Sequence, residues 1–171
     1  MFDFDELLKN SISKFRIEEQ KSNLPVNPNN RLKKAYINLD ISLSKLASDS
    51  KRFSILNFTK LDVSPDDYKK NILEDFSKSM NLFLLVANLK NWNHLIHISN
   101  DEQNRIFSNK SDSDFSNVYI VIKKMLFNSL SSHNEKDFLY AWKIFNKFGI
   151  VDLNLKINDV IEEVKRINKN I

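Results

Sequence analysis

The chain has 171 residues, of which 42% are hydrophobic, 28% charged and 11% aromatic, a composition that supports one folded domain with its own core and argues against disorder. One glycine, three prolines and no cysteine exclude glycine-rich phosphate loops, hairpin-rich sandwiches, disulfide frameworks and thiolate chemistry. The 26 basic and 22 acidic residues are spread along the chain, so the formal charge of +4 indicates no specific nucleic-acid partner, and no apolar run approaches the ~20 residues of a membrane span.

The first helix is expected over Phe4 to Gln20, because Phe4, Leu7, Leu8, Ile12 and Phe15 recur at the spacing of one buried helical face. Residues 22–30, with Pro25 and Pro28, read as a linker, since each proline lacks a backbone donor and biases its predecessor away from helix. Asn29 or Asn30 then caps a second helix with Leu32, Ala35, Tyr36, Leu39, Leu43 and Leu46 as its inner stripe.

Ser64, Pro65 and Asp67 give the clearest start signal: a hydroxyl cap, proline at the first helical position and a carboxylate in the first turn. The long third helix that follows is apolar nearly all round from Leu82 to Val86, so it is either central or a subunit contact. Residues 93–113 read as a polar loop with at most one turn around Arg105. Asp114 or Ser113 caps a fourth helix. Asn134 caps a fifth with Phe138, Trp142, Phe145 and Phe148 inside and Gly149 as its left-handed C-terminal residue. A last helix covers Asn158 to Asn168, with Val160, Ile161 and Val164 facing inward. The expectation is a single all-α domain over residues 1–171, an antiparallel bundle of about five to six helices. The N-terminus lacks the basic-then-apolar layout of a secretory leader, so the chain is expected to be cytoplasmic.

Two segments carry a family likeness. Ile41-Ser42-Leu43-Ser44-Lys45-Leu46-Ala47-Ser48-Asp49, with basic Lys51 and Arg52 and aromatic Phe53 after it, lies on the second helix, and Ile72-Leu73-Glu74-Asp75-Phe76-Ser77-Lys78-Ser79-Met80 lies on the third. Their apolar frames resemble the dimeric dUTPase family of all-α nucleotide pyrophosphohydrolases. The resemblance implies a homodimer and, in an active member, Glu-x-x-Glu on one helix facing Glu-x-x-Asp on the next. Spacing three puts both carboxylates of each pair on one face. Four hard oxygen ligands then hold Mg²⁺, through which water attacks the nucleotide's phosphate chain and pyrophosphate leaves. The resemblance also places base-facing polar groups at Lys9 and Ser13, phosphate contacts at Lys51 and Arg52, and a phosphate-holding tail beyond Lys169.

Carried over residue by residue, the four ligand positions are Ser42, Lys45, Asp75 and Lys78. One carboxylate stands where four are required. A divalent ion about 4 Å from an ammonium at an effective dielectric of 20 is repelled by about 8 kcal/mol. Millimolar Mg²⁺ affinity supplies only about 4 kcal/mol. The expected metal is therefore none. Lys78 is expected to pair with Glu74 one turn earlier, and Lys45 with Asp49 or, across helices, with Asp75.

The leading expectation is a catalytically impaired dUTPase-like protein kept as a helical scaffold or partner-binding dimer, without a cofactor. One alternative is an active Mg²⁺-dependent nucleoside triphosphate pyrophosphatase with ligands shifted to Asp40, Asp49, Glu74 and Asp75, of which Asp49 and Glu74 coincide with acidic family positions. The other is an unrelated small helical interaction module. Remaining chemistry-bearing residues have plainer readings. Lys51 and Arg52 suit a solvated helix end, His94 and His97 two polar residues near a helix end rather than a zinc pair, and His133 a turn.

Overall fold

The computed structural model describes residues 1–22, 27–53 and 64–169. These residues form seven α-helices: α1 Phe4–Ser22, α2 Pro28–Asp49, α3 Pro65–Leu89, α4 Asn100–Phe107, α5 Phe115–Ser131, α6 Glu135–Lys147 and α7 Ile157–Lys169. There is no strand among the described residues, and no helix among them is long and apolar enough to cross a membrane.

Helix starts follow local chemistry. Ser64 Oγ accepts from the Asp67 amide at 3.1 Å and donates to the Asp67 carboxylate at 2.7 Å, with Pro65 in the first turn where no amide partner is required. Asp114 accepts from the Asn117 amide at 2.9 Å to open α5, and Asn134 from the Lys136 amide at 3.0 Å to open α6. The start of α2 differs from the sequence expectation. The helix opens at Pro28, with the Arg31 amide bonded to the Asn27 carbonyl at 2.9 Å, so Asn29 and Asn30 lie inside it rather than capping it. Proline is suited to that first position because its φ is helical and its missing donor would have had no partner. Residues 23–26, which include Pro25, residues 54–63 and residues 170–171 lie outside the described residues.

Helix α3 is the centre of the bundle, packing on α1, α2 and α7. Phe83, Leu84 and Val86 are fully buried within the chain, while Leu82 and Leu85 are partly buried against the same core. Its other side meets an aromatic cluster, with Phe76 stacked on Phe145 at 4.5 Å and Phe83 against Phe145 at 4.7 Å and Trp142 at 5.6 Å.

Residues 93–113 are more ordered than a polar loop. They contain a 3₁₀ turn at Asn93–Leu95 and the eight-residue α4, which includes Arg105. Ser99 Oγ accepts from the Glu102 amide at 3.3 Å, and the buried Gln103 side chain bonds the Phe2 amide and carbonyl at 2.8 and 3.0 Å. The tertiary contacts of one amide therefore fix a helix whose surface composition reads as loop.

Gly149 is not a left-handed cap, since no described glycine has positive φ. Helix α6 instead runs on through a π-helical turn, Phe148–Asp152, in which the Leu153 amide reaches the Phe148 carbonyl at 2.8 Å. Glycine is required there for space: a Cβ would sit 2.1 Å from the Phe76 ring. The left-handed residue is Asn154, φ 56°, followed by the Leu155 amide bonding back to the Gly149 carbonyl at 3.1 Å.

Candidate functional site

Helices α2 and α3 run antiparallel along the seam that the sequence singles out. Ser42 meets Ser79, Lys45 meets Asp75 and the Ser50 carbonyl meets Tyr68, one number falling as the other rises. Of the four ligand positions, Lys45 and Asp75 are in direct contact there, and Ser42 is linked to Asp75 only through Ser79. Lys45 Nζ donates to both oxygens of Asp75, at 2.9 and 2.8 Å, and to Asp49 Oδ2 at 2.7 Å. Ser42 Oγ lies 2.8 Å from Ser79 Oγ, which donates to the Asp75 carbonyl at 2.9 Å. Lys78, the fourth, pairs with Glu74 at 2.5 Å on its own helix.

The electrostatics follow from burial and pairing. The Asp75 side chain is only 3% exposed, and burial pushes its carboxyl above the usual aspartate range despite Lys45. Asp49 is held below that range, chiefly by its hydrogen bond from Lys45, and Glu74 below the glutamate range by Lys78. Lys45 in turn is raised by its bonds to Asp49 and Asp75. Asp49 ends α2, where the helix dipole disfavours a carboxylate, and Lys45 one turn earlier offsets that cost.

Asp40 faces away from this seam and pairs with Lys123 of α5. The four carboxylates of the shifted-ligand alternative are thus each held by a lysine: Asp49 and Asp75 by Lys45, Glu74 by Lys78 and Asp40 by Lys123. Among the described residues no group of three or more histidines and carboxylates converges in a way that could hold a metal ion. Both oxygens of Asp75 are engaged by the Lys45 ammonium, whereas the part-exposed Asp49 meets it through Oδ2 alone.

The remaining sequence candidates scatter. Lys51, φ 54°, is exposed just after α2, and the Arg52 guanidinium stacks over the Phe115 ring at 4.6 Å. Lys9 and Ser13 are exposed on α1, the Ser13 hydroxyl bonding the Lys9 carbonyl at 2.9 Å. His94 lies 3.2 Å from Glu135 and His97 3.0 Å from Asp5, so the two imidazoles do not share a site. His133 is a turn residue with φ 51°, accepting from Lys90 Nζ at 2.7 Å.

One polar cluster escaped the sequence reading. Ser11 of α1 donates to Asn81 of α3, and the Asn168 amide of α7 lies 3.3 Å from the same Asn81 oxygen. Only the interruption of the apolar run at Asn81 signals it, because its partners come from helices 70 and 87 residues away in sequence. Ser79, which fixes Ser42, carries no sequence signal beyond its i+4 relation to Asp75.

No protein-family model, curated protein or solved structure matches the chain.

Proposed function

We propose that this chain is a catalytically impaired dUTPase-like protein, kept as a helical scaffold or partner-binding protein, with a homodimer as the assembly that the resemblance implies. The observation that carries the reading is the position of Lys45 Nζ, within 2.9 Å of Asp75 and 2.7 Å of Asp49, on the seam where such a hydrolase would hold its cation. An ammonium in that position satisfies the carboxylates internally and repels a divalent ion by several kcal/mol, about 8 at 4 Å and an effective dielectric of 20. The fold then retains the helical pair without the chemistry. The ground for the homodimer is the resemblance, since Phe83, Leu84 and Val86 are already buried within the chain.

Calorimetric titration with Mg²⁺ tests it. The wild-type chain is expected to give no binding heat in the millimolar range. The triple variant Ser42→Glu, Lys45→Glu and Lys78→Asp, which restores the four carboxylates, is expected to bind. Saturable Mg²⁺ binding by the wild type would overturn the reading, and a folded triple variant that stays silent would remove the dUTPase-like alignment from it.

A further inference from the structure

The outer face formed by α2 and α5 is apolar where a folded surface is usually polar. Among the described residues seven large hydrophobic side chains are prominently exposed, and four of them lie on this one face: Ile37 at 53% and Ile41 at 60% on α2, Ile120 at 60% and Phe127 at 40% on α5. The two helices run antiparallel, joined by Tyr36 to Ser129 at one end and Ser44 to Tyr119 at the other. Between them the surface dips into two hollows. One, of about 500 Å³, is bordered by Leu32, Ile37, Phe127 and Leu130, and the other, of about 610 Å³, by Ala47, Phe53, Tyr119 and Ile120. The Lys123 to Asp40 ion pair bridges the middle. Scattered exposed hydrophobes need no explanation, but four of them on one two-helix face beside two depressions mark an interaction surface.

Charge indicates what covers it. Helices α2 and α5 together carry six basic side chains against two acidic ones; of the six, Arg31 pairs with Glu19 of α1 and Lys45 with Asp49 and with Asp75 of α3. Both acidic side chains are already neutralised, Asp40 by Lys123 and Asp49 by Lys45. Lys33 borders one hollow, Lys51 the other, and Lys124 is exposed on α5 one turn after Ile120, none of the three in an ion pair among the described residues. A second copy would bring the same cations against themselves, at a cost that rises as the interface dries. A nucleic-acid backbone would meet isoleucines at the centre of the face rather than a lane of cations or a stacking ring.

We propose that the α2–α5 face docks an acidic amphipathic helix of a partner protein. The apolar side of that helix fills the two hollows, whose centres are about 20 Å apart at 1.5 Å per residue along α2, so its main anchors are about 13 residues apart. Its flanking carboxylates meet Lys33, Lys51 and Lys124. The proposal rests on the partner-binding side of the function proposed above and names the chemistry of that partner.

The test uses the full chain and a synthetic helical peptide of about five turns, leucines along one face and glutamates on both flanks, followed by fluorescence anisotropy at low and high salt. A matched peptide with lysine in place of glutamate and a single-stranded DNA 20-mer serve as comparisons. The acidic peptide is expected to bind at least about tenfold more tightly than the basic one and to weaken with salt. Ile41→Gln with Phe127→Gln, which keeps the charge and removes two of the exposed apolar side chains, is expected to weaken binding at least about tenfold without changing the helical circular dichroism. Lys33→Glu, Lys51→Glu and Lys124→Glu together are expected to invert the preference towards the basic peptide. Equal binding of the two peptides, no binding of the acidic one, tighter binding of the DNA, or a wild-type dimer in sedimentation that Ile41→Lys dissolves would each overturn the proposal. None of these outcomes touches Mg²⁺ affinity, so failure here and failure of the impaired-enzyme reading are separately visible.

Discussion

Both carboxylate oxygens of Asp75 accept from the ammonium of Lys45, at 2.9 and 2.8 Å, although the two residues are 30 apart in sequence and sit on different helices. The carboxylate is buried and the lysine side chain is 57% exposed. Removing the cation therefore strands a buried acid, whereas water can partly replace the lysine head. Lys45→Met is expected to lower unfolding stability by about 1–3 kcal/mol, less than the ~3–5 kcal/mol of a fully enclosed pair. Urea denaturation measures it, and a loss under about 0.5 kcal/mol would mean that the pair does not hold the α2–α3 seam.

The three carboxyls around these lysines are expected to titrate in a definite order. Asp49 and Glu74, depressed by Lys45 and Lys78, stabilise the fold above the ordinary carboxylate range, and that contribution disappears as pH falls through their lowered folded values. Asp75 has the opposite sign: burial raises it, so its ionised form costs stability that is recovered as pH falls through its raised value. Carboxyl carbon shifts followed by NMR are expected to show Asp75 titrating at higher pH than Asp49. The reverse order would contradict the account of burial at this seam.

Gly149 faces the ring of Phe76 with no room for a side chain. Gly149→Ala is expected to destabilise by about 1–3 kcal/mol through overpacking, because the ring is pinned by its stack on Phe145. Phe76→Leu should relieve part of that clash, so the double variant is expected to lose less than the two single losses combined. Additive losses would place the cost in the π-helical turn itself.

Gln103 joins three backbone groups that no helix serves, the Phe2 amide and carbonyl and the Ile98 carbonyl at 2.9 Å. Gln103→Leu leaves them buried without partners and is expected to cost about 1–3 kcal/mol. Amide exchange at Phe2 should rise well before that of α3, and unchanged protection there would show that the aromatic contacts of Phe2 alone anchor the segment.

The parts of the fold that were legible in the sequence are those set by local rules. Ser64, Asp114 and Asn134 announce helix starts because a cap is chosen by residues within three positions, and the inner stripe of α2 follows from its 3.6-residue period. The start of α2 is not legible in the sequence because Pro28 serves a linker and a first helical turn equally well. Helix α4 depends on Gln103 reaching Phe2 across 101 residues, and Gly149 on a ring from α3, neither of which a local pattern contains. At the candidate site the charge pairs were readable: Glu74 to Lys78 lies one turn apart, and the resemblance set Lys45 opposite Asp75. The Ser42 to Ser79 contact was not, since serines pair with many neighbours and register alone selects one.

The most direct measurement is pyrophosphate release from a panel of deoxynucleoside and ribonucleoside triphosphates by the purified chain with excess Mg²⁺. With Lys45 bound to the carboxylates of Asp49 and Asp75, release is expected to stay at the rate of a protein-free control for every nucleotide. Enzyme-dependent turnover that Lys45→Met or Asp75→Asn abolishes would contradict the account at its centre.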